Sequence, residues 1–91
     1  MNSQPTDVSR LVRATVLVRP RQGILDPQGA AVEGSLKKLG FTVSSVRMGK
    51  VIDLEVEADG VDDARKRVEQ MCESLLANPL IEDFEIHVEE E

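Results

Sequence analysis

A chain of 91 residues with 41% apolar side chains is long enough for one domain with a modest core. A formal charge of −6 and only two aromatics, Phe41 and Phe84, argue against a nucleic-acid partner or an anionic membrane surface. The single cysteine, Cys72, excludes an internal disulfide and any multi-cysteine metal site, and no apolar run approaches the ~20 residues of a membrane span. Met1 to Arg10 lacks the apolar centre of a secretory signal, so the expected location is the cytoplasm.

Met1 to Arg10 are polar and aperiodic, and residues 1–11 are expected to form a flexible extension ahead of one domain over 12–91. Val12 to Arg19 reads as a first strand, with Ala14, Val16 and Val18 on one face and Thr15, Leu17 and Arg19 on the other. The mixed second face suits a central position in a sheet. Pro20 ends the strand by removing a ladder donor.

The loop that follows, Gly23-Ile24-Leu25-Asp26-Pro27-Gln28-Gly29, is chemically unlike its neighbours. Asp26-Pro27 is a helix start: the carboxylate accepts from free N–H groups of the first turn, and proline is pre-set for the first helical position. Ile24 and Leu25 are large and apolar, and Gly29 sits where a better helix former is expected. Two readings follow. Leu25 packs as a staple while Gly29 allows a close approach, or the loop is a docking surface.

Pro27 to Leu39 reads as a first helix, burying Val32, Leu36 and Leu39, with Gly40 just past its end. Glu33 and Lys37 are four apart and suited to pair. Phe41 to Met48 reads as a second strand, whose change of apolar parity calls for a bulge near Ser44-Ser45. Gly49-Lys50 suggests a hairpin turn into a third strand, Val51 to Ala58, with Ile52, Leu54, Val56 and Ala58 opposite Asp53, Glu55 and Glu57. A second helix over Val61 to Ala77 buries Ala64, Val68, Met71, Cys72, Leu75 and Leu76, and Asn78-Pro79 stops it. Leu80 to Val88 is a fourth strand, and the chain ends in three glutamates expected to lie in solvent.

The order β-α-β-β-α-β predicts an α+β fold: a two-layer, ferredoxin-like sandwich with a four-stranded antiparallel sheet of order 4-1-3-2 and both helices on one face. The other face stays open and is available to a symmetric partner.

Candidate chemistry is sparse. Asp53, Glu55 and Glu57 project together, but no histidine or hydroxyl adjoins them in sequence to give them acid–base work. His87 with Glu85 or Glu89 is a thin set for a metal, since catalytic zinc generally takes three protein ligands, so no metal site is expected. Cys72 lies on an apolar helix stripe without a neighbouring base. No nucleotide-binding glycine motif is present. Arg19, Arg21, Arg47 and Lys50 are read either as an anion site with the first helix N-terminus or as solubilising charge. No catalytic residue set emerges, and a binding or structural role is expected.

The motif GILDPQG at Gly23 to Gly29, then Ala31-Val32, LKKLGF at Leu36 to Phe41, VRMGK at Val46 to Lys50 and MCESLLANPLIE at Met71 to Glu82 resemble PurS, the small subunit of phosphoribosylformylglycinamidine (FGAM) synthase. The likeness runs from Ala14 to Val88. It implies a non-catalytic subunit that bridges a large synthetase subunit and a glutaminase subunit and supports ammonia transfer. The reaction converts formylglycinamide ribonucleotide, with ATP and glutamine, to the amidine in de novo purine synthesis. The resemblance also implies a homodimer or tetramer. It implies no cofactor on this chain, ATP and Mg being used by the large subunit. Gly23, Ile24, Leu25, Asp26, Pro27, Gln28 and Gly29, with Arg47 and Lys50, are the partner-binding residues it implies. The extension at the start and Gly34 in the first helix depart from the family pattern. A ferredoxin-like, ACT-type regulatory domain that binds a small ligand is the alternative.

Overall fold

Burial alternates so regularly along residues 10–20 that this strand sets the plan of the molecule. A computed structural model describes residues 10–89; the expected N-terminal extension falls mainly on residues 1–9 and, with the last two glutamates, lies outside the described residues. The described elements are β1 (Arg10–Pro20), α1 (Pro27–Lys38), β2 (Lys50–Ala58), α2 (Val61–Met71), a π-helical turn (Cys72–Leu76) and β3 (Glu82–Val88). β1 already begins at Arg10, two residues earlier than the pattern suggests.

The described sheet has three strands in the order β2-β1-β3, with both pairings antiparallel. β1 is central, as its mixed outer face implies. Val12, Ala14, Val16 and Val18 are buried, and Val16 sits between Ile52 of β2 and Ile86 of β3. α2 and the π-turn after it lie across this face and add Ala64, Val68 and Cys72 to the core. The opposite face carries Arg13, Thr15, Asp53, Glu55, Glu85 and His87 and is open.

Three expectations are corrected. The sheet is not four-stranded: residues 41–49 form no ladder and β2 keeps a free edge. This segment turns back along α1 instead, and Ser45 takes a positive φ of 57° where a bulge is expected. Its change of apolar parity between Val43 and Val46 would turn half of its apolar residues away from a core in any regular strand.

The two helices do not share one layer either. α1 projects away from the sheet, which stretches the molecule to 59 × 26 × 22 Å. Its stripe is consequently thin: Val32 and Leu36 are half-buried, while Leu39 is 73% exposed. Local signals still fix its ends. Gly40 (φ +99°) closes α1 with paired bonds from its own N–H to the Lys37 carbonyl and from the Phe41 N–H to the Leu36 carbonyl.

Third, α2 does not run regularly to Ala77. A π-turn inserts one residue, marked by the Ala77 N–H bonding the Cys72 carbonyl at 3.0 Å. The extra residue keeps Cys72 and Ala77 buried but turns Leu75 outward, 82% exposed. Because the core is small, its central residues matter individually. Val68→Ala should lower the unfolding free energy by about 2 kcal/mol in a urea titration.

Candidate functional site

The polypeptide leaves β1 at Pro20 and returns to the sheet at Lys50, so residues 21–49 form an arm with two legs at its base. The sequence-predicted loop and the pair Arg47 and Lys50 meet there. Asp26 caps α1, with Oδ1 accepting from the Gly29 N–H at 3.0 Å and Pro27 at the first helical position. Its other oxygen, Oδ2, accepts from the Met48 N–H at 2.9 Å, 22 residues away. One carboxylate therefore joins both legs. The two backbone N–H groups, and then Arg47 nearby, hold the Asp26 carboxyl below the usual aspartate range.

Glycines make this closeness possible. A Cβ on Gly29 would collide with the Val46 carbonyl and with the Asp26 carboxylate. A Cβ on Gly49 would meet the Val18 carbonyl of β1. Gly29 is thus explained by the approach of the returning leg, which outweighs its poor helix propensity. Glu33 pairs with Lys37, 3.0 Å away, and this partner first of all holds its carboxyl below the usual glutamate range.

Two of the arginines, Arg21 and Arg47, are engaged by backbone carbonyls. Arg47 donates to the Pro20 carbonyl at 2.9 Å. Arg21 donates twice to the Pro79 carbonyl, at 2.7 and 3.2 Å, and lies 3.2 Å from the Asp83 carboxylate. The backbone N–H of Arg21 bonds the Ile81 carbonyl at 2.9 Å. The loop is therefore stitched to the turn after α2, a contact between motifs that no spacing in the sequence indicates. The N-terminus of α1 is occupied by Asp26 itself. Lys50 stays exposed opposite Val18, and with Arg19 and Arg47 it lines a shallow depression of about 240 Å3.

The apolar part of the loop behaves differently. Leu25 is 82% exposed, so the staple reading fails; Ile24 and Gln28 are exposed as well. The site is a rigid base that presents Leu25 to solvent.

The other candidates are dispersed. On the open sheet face Thr15 donates to Asp53 at 2.8 Å, Arg13 lies 3.4 Å from Glu55, and His87 lies 2.9 Å from Glu85. Among the described residues no group of three or more His, Cys, Asp or Glu could hold a metal ion. Cys72 is buried, and burial with Glu69 and Glu73 nearby pushes its thiol up, away from the reactive thiolate. No described helix is long and apolar enough to cross a membrane.

Fold and site together define a small α+β chain that carries a tethered, surface-presenting arm beside a three-stranded sheet. The family model for PurS, phosphoribosylformylglycinamidine (FGAM) synthase, matches residues 13–90. The PurS subunit of Mycobacterium leprae is 49% identical over 77 residues, covering 84% of this chain and 94% of that one. The Methanocaldococcus jannaschii subunit is 40% identical over 80 residues, covering 87% and 96%. The crystal structure of the Thermotoga maritima PurS subunit superposes with a TM-score of 0.84 at 33% identity, covering 94% of this chain and all of that one. A chain in the structure of PurLQS from the same organism gives 0.80 at 36% identity, covering 88% and 99%. The chain belongs to the PurS family, a subunit of FGAM synthase in purine biosynthesis.

Two consequences of the clamp are testable. Gly29→Ala should cost roughly 1–3 kcal/mol of folding stability in chemical denaturation, because the returning leg must move. Asp26→Ala should lower the Tm at neutral pH. A carboxyl with a lowered folded pKa stabilises fully above its ordinary pKa of about 3.9, and the contribution is lost as pH falls through the lower folded value. The Tm difference between wild type and Asp26→Ala should therefore be largest near neutrality and narrow in acid, followed by circular dichroism.

Proposed function

We propose that this chain is the non-catalytic small subunit that joins the large synthetase subunit of FGAM synthase to its glutaminase, in the cytoplasm, as a homodimer or tetramer. In this role it supports passage of ammonia, released from glutamine, to the subunit that uses ATP and Mg to turn formylglycinamide ribonucleotide into its amidine. The base of the arm is the contact with the large subunit. The observation that carries this is the contrast within one loop: Asp26 and Gly29 are engaged internally, while Leu25 is held out by them and is largely exposed. A rigid backbone that displays a large apolar side chain loses little conformational entropy when a partner covers it. The neighbouring cations Arg19, Arg47 and Lys50 offer an acidic partner a rim in an otherwise acidic protein. The likeness to a chain of PurLQS supports the assignment to such a complex.

The test is reconstitution with the large subunit and the glutaminase. Omitting this chain should abolish most glutamine-dependent amidine formation and spare the ammonia-dependent reaction; unchanged glutamine-dependent turnover would refute the role. Leu25→Ala should leave folding stability within about 0.5 kcal/mol. It should weaken assembly about tenfold, measured by titration calorimetry.

A further inference from the structure

Leu25 has a counterpart in the turn beside it. β1 ends at Pro20 opposite Glu82, where β3 begins, so the loop after β1 and the turn before β3 are neighbours at one end of the sheet. That turn is built as firmly as the loop. The Asn78 side chain accepts from the Leu80 N–H at 3.1 Å, and the Asn78 carbonyl accepts from the Ile81 and Glu82 N–H groups at 3.0 and 2.8 Å. The Asn78 N–H donates to the Glu82 carboxylate at 2.7 Å. None of these bonds uses the Leu80 side chain, which stands 83% exposed beside a partly exposed Ile81. Arg21 joins the two segments: its guanidinium holds the Pro79 carbonyl and its N–H the Ile81 carbonyl, while its own carbonyl accepts from the Ile24 N–H. Leu25 and Leu80 are thus displayed by one braced unit.

We propose that Leu80 is a second anchor for the large synthetase subunit, covered by it together with Leu25 on one continuous surface. A stable interface buries about 800 Å2 on each partner, far more than one leucine supplies. The turn at residues 78–81 is the apolar surface fastened directly to the loop. Two anchors fixed relative to each other are ordered before the partner arrives, so their joint burial costs little entropy. The charge nearby selects the partner. Arg47 bonds the last residue of β1, and Arg19 lines the same depression. A two-fold pair of copies meeting here would bring these cations together, whereas a partner with an acidic rim is attracted by them. The inference rests on the contact proposed above for Leu25 and adds a second segment to it.

Titration calorimetry of the full chain into the large subunit and glutaminase tests this. Leu80→Ala should weaken assembly about tenfold, and Leu80→Ala with Leu25→Ala should weaken it further than either change alone. The Tm and the sedimentation mass of the free chain should stay at their wild-type values. Assembly weakened by Leu25→Ala but untouched by Leu80→Ala would overturn the second anchor and leave the Leu25 contact standing. Assembly untouched by both would remove the Leu25 contact as well. A changed sedimentation mass in Leu80→Ala would assign the turn to contact between copies and overturn the proposal. The partner is identified by a benzophenone attached to the thiol of Leu80→Cys in the reconstituted complex, with the wild-type chain as control for Cys72. Photocrosslinking to the large subunit supports the proposal. Crosslinking to the glutaminase or to a second copy, or none, overturns it.

Discussion

The Asp26 carboxylate is the interaction on which the shape of this protein depends. One oxygen starts α1 and the other holds the leg that returns from it. With only the first bond, Asp26 would be an ordinary helix cap. With both, the cap becomes a cross-link that keeps residues 41–48 against α1 and away from the edge of β2. The glycine at position 29 follows from this, since any side chain there would stand where the returning backbone runs. Arg47 on Pro20 and Arg21 on Pro79 extend the same logic, tying one leg to the end of β1 and the other to the turn after α2 through backbone carbonyls.

The rest of the molecule is the platform for this device. β1 is paired on both edges and buried on one face, so it cannot shift register without turning Val12, Ala14, Val16 and Val18 to solvent. α2 and the π-turn lock that register by packing Val68 and Cys72 onto it. A fixed sheet and a fixed arm base give the loop a defined position from which Leu25 reaches outward. An acidic chain with dispersed polar groups and a protected thiol is suited to recognition through such a surface.

Much of this was legible in the residues. The alternation in β1 and β2, the Asp-Pro start of α1, Gly40 at its end and the stop at Asn78-Pro79 are local signals, and local physics decides them. The family likeness carried by GILDPQG and MCESLLANPLIE was legible too. What local pattern could not show is where α1 goes. Its stripe of Val32, Leu36 and Leu39 fits a helix on a sheet, but periodicity says only that a face is apolar, not whose core receives it. The same holds for Phe41 to Met48, which has the residues of a strand but no ladder partner within the described fold. The bond from Met48 to Asp26 spans 22 residues and leaves no mark in spacing. Leu75 leaves the apolar stripe because a π-turn shifts helical phase by one residue, and nothing in CESLL announces it.

A single carboxylate holds both legs of the arm, and the Met48 amide reports on it directly. Residues 41–49 have no ladder of their own, so this N–H owes its protection to Asp26. Amide hydrogen exchange followed by NMR should find Met48 slowed by roughly tenfold or more relative to an unstructured chain. In Asp26→Ala it should return to the unstructured rate while the amides of β1 and α2 keep theirs. A Met48 amide that exchanges freely in the wild-type protein would contradict the account.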